Sequence, residues 1–186
     1  MFSLSDHWID QARRVPSPNY NERPEDAAVS LLVVHGISLP PDEFGGPWID
    51  DFFSNRLDAS AHPYFATIAG LQVSSHFLIR RDGELVQYVA CNARAWHAGR
   101  SNWCGREGCN DFSIGIELEG SDHVPYAEKQ YTVLSDLVQV LQQHYPQIGD
   151  NIVGHEHIAP GRKTDPGPAF DWSRLPQSVL TKGDRT

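Results

Sequence analysis

Ser30-Leu31-Leu32-Val33-Val34-His35-Gly36 is the stretch of sequence that decides the fold. Its apolar, β-branched run does not alternate with polar residues, which predicts a strand buried on both faces. Such strands lie inside α/β sheets, and ligands bind near their carboxyl ends. His35 closes this strand and is therefore the first candidate site residue, although a lone histidine in such a place is more often structural and needs partners.

Further strands are predicted on the carboxyl side of this run. Residues 76–80 and 85–89 are mostly apolar and flank Asp82-Gly83, which favours a hairpin because glycine accepts the positive φ of a tight turn. Residues 114–119 alternate between apolar and other residues with period two, as a strand does. These three segments provide further strands for a sheet that contains the strand ending at His35.

Helices are predicted between and after the strands. Residues 127–145 carry apolar side chains at helical spacing and Pro146 ends them, while a shorter helix is expected at 49–53. A brief strand follows at 151–153, and the prolines of residues 1–28 predict irregular structure there. Because strands and helices interleave, we expect an α/β fold with one central mixed sheet flanked by helices.

Size and composition limit the function classes. A chain of 186 residues suits one domain, which we expect to span 1–186 with a core at about 13–175 and irregular termini. With 24 acidic against 15 basic residues the net charge is −9, which argues against a nucleic-acid partner. The apolar stretches are too short to cross a bilayer, so no membrane partner is expected. We expect a monomer.

Cysteine usage and the first residues predict the compartment. The three cysteines form no Cys-x-x-Cys pair and are odd in number, which is typical of reduced thiols. The amino terminus has neither a basic start nor an apolar run of the kind that secretion signals carry. We therefore expect a cytoplasmic location.

A second group of candidate residues lies near the carboxyl end. His155 and Asp165 are ten residues apart, and Asp165 is followed by stiffening prolines. With His35 they provide two imidazoles and a carboxylate, which leaves zinc one open position for water, as in catalytic sites. His157 lies two residues beyond His155, and spacing alone does not choose between them. A solvated polar loop is the alternative.

The strand at 114–119 adds a carboxylate. Gly115, Glu117 and Glu119 share one face, so a strand with two carboxylates in water is one interpretation. A glycine inside a strand, however, often marks the close approach of a ligand or another backbone. A carboxylate over a shallow cleft can take a proton from water, which makes Glu117 a candidate proton acceptor.

Other aromatic and imidazole side chains allow weaker predictions. His76 and His97 lie in or beside strands, where buried histidines satisfied by hydrogen bonds are expected. Trp96 is a platform for a sugar ring or a core residue. No Gly-x-Ser-x-Gly, phosphate-binding loop or dinucleotide fingerprint is present in the sequence, which removes support for serine hydrolases, NTPases and dehydrogenases.

Eight segments in chain order resemble the AmpD-type N-acetylmuramoyl-L-alanine amidases, which are relatives of phage zinc amidases and peptidoglycan recognition proteins. The segments are residues 13–18, 31–35, 44–50, 62–65, 78–84, 95–99, 110–120 and 158–168. The resemblance extends from about Arg13 to Trp172, nearly the whole chain. It departs at Gly36, where the family often has asparagine, and at the Glu156-His157 pair.

This resemblance implies a metal site and its chemistry. His35, His155 and Asp165 match the family's ligands for one zinc ion, in a groove on one side of the sheet. Glu117 matches the proton acceptor, and Lys163 matches the residue that stabilises the transition state.

The resemblance also implies a substrate. It indicates hydrolysis of the amide between the lactyl group of (1,6-anhydro-)N-acetylmuramic acid and the L-alanine of a muropeptide, in cytoplasmic peptidoglycan recycling that affects β-lactamase induction. We expect Arg106 to pair with a stem-peptide carboxylate and Trp96 to border the sugar. The alternatives are a non-catalytic peptidoglycan-binding module and an envelope or lysin amidase that acts on intact wall.

Overall fold

The fold is described by a computed structural model that covers residues 2–175. Within these residues the strands, in chain order, are β1 (Leu4–Ser5), β2 (Trp8–Ile9), β3 (Arg13–Arg14), β4 (Tyr20–Asn21), β5 (Leu31–Ile37), β6 (Phe77–Ile79), β7 (Leu85–Gln87), β8 (Arg94–Ala95), β9 (Asn102–Trp103), β10 (Arg106–Glu107), β11 (Ser113–Glu119) and β12 (Ile152–Gly154). The α-helices are α1 (Trp48–Phe53), α2 (Phe65–Ile68), α3 (Glu128–His144) and α4 (His155–Ile158).

A six-stranded mixed sheet forms the centre of the molecule, with the strand order β12-β5-β11-β6-β7-β3. Strand β5 runs parallel to β12 and β11, whereas β6 and β7 form the antiparallel hairpin. The register between β5 and β11 places Glu117 opposite His35. The predicted α/β class with a central mixed sheet is confirmed, and the two candidate residues lie side by side on it.

Packing on both faces explains the apolar run of β5. Leu32 and Val34 lie in a large core cluster with the buried face of α3, while Leu31 and Val33 lie in a second cluster on the opposite face. Residues 31–35 are all buried. A strand covered on both faces excludes water from the backbone that carries His35.

The local predictions for the hairpin and the long helix are confirmed. Gly83 has φ of +92°, the left-handed conformation that the turn between β6 and β7 requires. Helix α3 begins after Ala127, where the Gln130 side chain accepts a hydrogen bond from the Ala127 N–H at 2.9 Å. Among the helices of residues 2–175, none combines the length and apolarity that a bilayer crossing requires.

The amino-terminal prediction needs a correction. Residues 4–9 form a short hairpin rather than irregular chain, and Ile9 is fully buried, so the folded core begins before residue 13. Its backbone N–H donates to the Gln87 side chain at 2.8 Å, and β3 pairs with β7. Partners distant in sequence stabilise these elements, which local prolines cannot reveal. Residues 176–186 of the expected domain lie outside the described residues.

The strand glycine predicted to mark a close approach faces a side chain rather than a ligand or backbone. A Cβ atom added to Gly115 would lie 2.5 Å from Cγ of His97. The absence of a side chain on β11 therefore makes room for the His97 ring.

We predict that Gly115→Ala lowers the free energy of unfolding by about 1–3 kcal/mol, because the methyl group overlaps the His97 ring. Gly70→Ala is the matched control, since nothing lies within 4 Å of a Cβ added there. Its free energy of unfolding should change by less than about 1 kcal/mol. Urea unfolding measures both, and equal effects at the two positions would contradict the prediction.

Candidate metal centre and groove

Three side chains from three different parts of the chain meet at one point. His35 comes from β5, His155 begins α4 directly after β12, and Asp165 lies on the following loop. The Nδ1 atoms of the two histidines are 3.0 Å apart, and Oδ2 of Asp165 lies 3.2 Å from that of His35 and 3.1 Å from that of His155. These three residues form a group that could hold a metal ion.

The chemistry of these donors fits a cation. Nε2 of His155 lies 3.2 Å from the Ala98 carbonyl oxygen, which can only accept a hydrogen bond. That nitrogen therefore carries the proton, and Nδ1 directs a lone pair at Asp165. A tetrahedral zinc ion with ligand distances of ~2.0–2.1 Å would separate its ligand atoms by about 3.3 Å, close to the spacing of these donors.

The protonation states also suit metal binding. Burial, followed by the neighbouring His155, lowers the pKa of His35 to about 4, so its imidazole is neutral at pH 7. Burial alone would raise the pKa of Asp165, but its close contact with the His155 and His35 rings outweighs burial and holds that pKa below its usual value. A neutral imidazole and an ionised carboxylate are the forms that bind metals.

The two carboxylates of β11 have different surroundings. Both are buried, with 8% of Glu117 and 3% of Glu119 exposed, so neither is the solvated group of the alternative interpretation. Glu119 accepts hydrogen bonds from the N–H groups of Gly45 at 2.6 Å and Arg81 at 3.2 Å, and is 3.5 Å from Arg80. Glu119 therefore has a structural role.

Glu117, in contrast, has unsatisfied bonding capacity. Its Oε2 atom is buried and has no hydrogen-bond partner among the described residues. Burial, and secondly the charge of Asp165, raises the pKa of Glu117 well above its usual value, whereas Lys163 opposes the shift. A carboxylate whose pKa is raised is a stronger base, which suits it to accept a proton.

These residues line one groove with a volume of about 600 Å³. The groove contains the three candidate ligands together with Glu117 and the exposed Lys163. Its lining also includes six apolar side chains, which are Leu39, Phe52, Phe53, Ile68, Leu71 and Val73. The arrangement brings a metal site, a carboxylate and an ammonium group to a cleft with room for an organic substrate.

The two expected substrate contacts are placed differently. Trp96 lines the groove, and its Nε1 atom donates a hydrogen bond to Asn21 at 2.6 Å. Arg106 lies on the β9–β10 hairpin, where its guanidinium is 3.8 Å from the centre of the Phe112 ring. Within residues 2–175, Arg106 is not among the residues that line the groove.

The geometry separates His155 from His157. Nδ1 of His157 accepts a hydrogen bond from the Gly154 N–H at 3.0 Å, and its ring packs against Trp172 with centroids 5.6 Å apart. His157 therefore faces away from the cluster.

Of the cysteines, Cys91 and Cys109 are buried and Cys104 is exposed, and in the described part of the chain all three are free and outside the candidate metal group.

His97 belongs to this site, which the sequence did not indicate. As expected, its ring is satisfied by hydrogen bonds, but its Nδ1 atom lies 2.9 Å from Nε2 of His35 and its ring lines the groove. Gly115, whose missing side chain accommodates this ring, marked a close approach in the sequence but did not identify His97 as the partner.

Comparisons with known proteins identify the family of this chain. Residues 25–168 match the family described as N-acetylmuramoyl-L-alanine amidase. The chain is 64% identical, over 90% of its length and 90% of that protein, to the 1,6-anhydro-N-acetylmuramyl-L-alanine amidase AmpD of Salmonella typhimurium strain SL1344.

Solved structures are similar as well. A crystal structure of a selenomethionine derivative of AmpD has a TM-score of 0.92 and 59% identity, covering 95% of this chain and 99% of that one. The amidase AmiD from Escherichia coli, in complex with anhydro-N-acetylmuramic acid-L-Ala-D-γ-Glu-L-Lys, has a TM-score of 0.58 and 33% identity, covering 86% of this chain and 65% of that one.

We predict that the purified protein binds one Zn²⁺ per chain and that His155→Ala abolishes this binding, because it removes one of three protein ligands. His157→Ala is the control and should retain the ion. Elemental analysis after dialysis measures the metal content. Loss of zinc in His157→Ala with retention in His155→Ala would contradict this ligand set.

Proposed function

Because the chain belongs to the N-acetylmuramoyl-L-alanine amidase family, as an AmpD-type member, we propose that it is a 1,6-anhydro-N-acetylmuramyl-L-alanine amidase. The bond cleaved is the amide between the lactyl group of the anhydro sugar and the L-alanine of the stem peptide. The observation that carries the proposal is the convergence of two imidazoles and a carboxylate beside the buried Glu117 in one groove.

His35, His155 and Asp165 would hold the metal ion, and the resemblance assigns zinc to it. Two nitrogen donors and one oxygen donor would leave such an ion room to bind water, which is typical of catalytic zinc sites. When bound, the ion supplies a Lewis acid that polarises the scissile carbonyl and acidifies water.

Glu117 is proposed as the proton acceptor. It lies opposite His35 across two parallel strands, and the free Oε2 atom has no competing hydrogen bond among the described residues. Glu117 would accept a proton from the attacking water and then donate it to the nitrogen of the departing L-alanine. The carboxylate is regenerated at the end of this cycle, so the same residue serves as base and acid.

Lys163 is proposed to stabilise the oxyanion that forms as water adds to the carbonyl. It lines the groove, and its positive charge lowers the pKa of Glu117, so the ammonium lies within electrostatic reach of the reacting atoms. A fixed positive charge is most effective where negative charge develops in the transition state.

Two substrate contacts complete the proposal. Trp96 would border the sugar, because it lines the groove and offers an aromatic face. Arg106 would pair with a stem-peptide carboxylate only after its guanidinium leaves the Phe112 ring, on which it now lies. We propose further that the protein acts as a monomer in cytoplasmic peptidoglycan recycling, and that its loss alters β-lactamase induction.

Glu117→Gln should keep zinc bound and lower kcat by about 10²–10⁴-fold, because the amide cannot accept the proton. Glu119→Gln is the matched control on the same strand: we expect lower stability but kcat within a few-fold of the wild type. Release of the free amino group from an anhydro-muropeptide, measured together with zinc content, tests both. An active Glu117→Gln protein would remove this residue from the mechanism.

The substrate is tested by comparing anhydro-muropeptide with intact sacculi at equal concentrations of scissile bonds. We expect hydrolysis of the soluble anhydro-muropeptide that a chelator abolishes and Zn²⁺ restores, and at most slow release from sacculi. Faster cleavage of sacculi would favour an amidase that acts on intact wall. Binding without cleavage of either substrate would favour a non-catalytic module.

A further inference from the structure

Two consecutive residues lie directly behind the candidate metal ligands. His97 presents Nδ1 to Nε2 of His35 at 2.9 Å, and the Ala98 carbonyl oxygen lies 3.2 Å from Nε2 of His155. Each contact is made with the ring nitrogen that faces away from the other ligands. The dipeptide His97-Ala98 therefore contacts the outer side of both imidazoles.

The proton positions along this network follow from one backbone carbonyl. The Cys109 carbonyl oxygen can only accept, so the Ser113 hydroxyl, 2.6 Å away, donates to it. The Ser113 oxygen is then left to accept a hydrogen bond from Nε2 of His97 at 3.1 Å. His97 consequently carries its proton on Nε2 and a lone pair on Nδ1.

This arrangement determines the tautomer of the first ligand. With a lone pair on Nδ1 of His97, the hydrogen bond at 2.9 Å must be donated by Nε2–H of His35. A neutral imidazole protonated on Nε2 has its free lone pair on Nδ1, which points to Asp165 at 3.2 Å. His155 is held in the same tautomer by the Ala98 carbonyl, so both rings present the atom that can bind a metal.

The supporting segment is itself fixed by neighbours. Oδ1 of the buried Asn110 accepts hydrogen bonds from the backbone N–H groups of both His97, at 3.1 Å, and Ala98, at 2.8 Å. On its other side, the His97 ring fills the space that Gly115 leaves open. The ring therefore has one position, and it is the position that meets His35.

We propose that His97 is a positioning residue of the metal centre, which together with the Ala98 carbonyl holds His35 and His155 in the metal-binding tautomer. This inference rests on the proposed metal-binding role of His35, His155 and Asp165. Outer partners of this kind orient the ligand ring, and their removal commonly weakens metal binding by about 10–100-fold.

The test compares Zn²⁺ affinities of metal-free proteins by competition with a chromogenic chelator. His97→Leu removes the acceptor and should weaken binding by about 10–100-fold. His97→Asn places an amide oxygen where Nδ1 was and should restore most of the affinity. The d–d absorption spectrum of the Co²⁺-loaded proteins should change in His97→Leu and return towards that of the wild type in His97→Asn.

His76→Leu is the matched control. His76 is a buried histidine whose Nδ1 accepts a hydrogen bond from the Gly115 N–H at 3.0 Å, and the described residues record no hydrogen bond from it to a candidate metal ligand. Because the His76 ring packs edge-on against His97, with centroids 5.8 Å apart, but has no hydrogen bond to it among the described residues, we expect this variant to lower stability and to change the Zn²⁺ affinity far less than His97→Leu does. Ser113→Ala removes the hydroxyl that accepts a hydrogen bond from Nε2 of His97. It should also weaken Zn²⁺ binding, but less than His97→Leu does.

The outcomes separate this inference from the proposed function. If the wild type binds Zn²⁺ and both His97→Leu and Ser113→Ala bind it as tightly, the positioning role is wrong and the metal site stands. If His97→Leu does not fold, an unchanged affinity in Ser113→Ala overturns the inference by itself. If the wild type binds no divalent ion, the proposed metal site fails and this inference fails with it.

Discussion

The structure around the groove depends on one constraint, which is that three electron-pair donors must face one another across about 3 Å. Two imidazole nitrogens and a carboxylate oxygen would repel each other without a cation between them, so the fold must hold them in place. It does so with a strand buried on both faces, a helix that begins directly at the second histidine, and a loop that returns with the aspartate.

The chemistry of the groove follows from differences between similar residues. Glu119 is neutralised by backbone N–H groups and arginine, whereas Oε2 of Glu117 is buried without a hydrogen-bond partner in the described chain. His155 directs a lone pair into the site, whereas the neighbouring His157 accepts a hydrogen bond from backbone elsewhere. Position on the fold, rather than residue type, separates the reactive group from the structural one.

Features with a local signal could be predicted from the sequence. The apolar run of β5, the Asp-Gly turn and the helical spacing of α3 each act within a few residues, and the structure has all three. The candidate ligands were found as residue types, the histidines after predicted strands and Asp165 on the loop beyond His155. The choice between His155 and His157 was different: the residues alone left it open, and it needed the resemblance to known amidases.

Features that depend on contacts between distant segments could not be predicted. Ile9 is buried in the large core cluster, and Arg106 lies against the Phe112 ring and is not among the described residues that line the groove. His97 was expected to be an ordinary buried histidine. Its contact with His35 could not be predicted, because the two residues are 62 positions apart in the sequence. Zinc K-edge X-ray absorption of the metal-loaded protein tests the central claim most directly. The account predicts two imidazole nitrogens and carboxylate or water oxygens at about 2.0–2.1 Å. A thiolate ligand at ~2.3 Å, or a third imidazole, would contradict it.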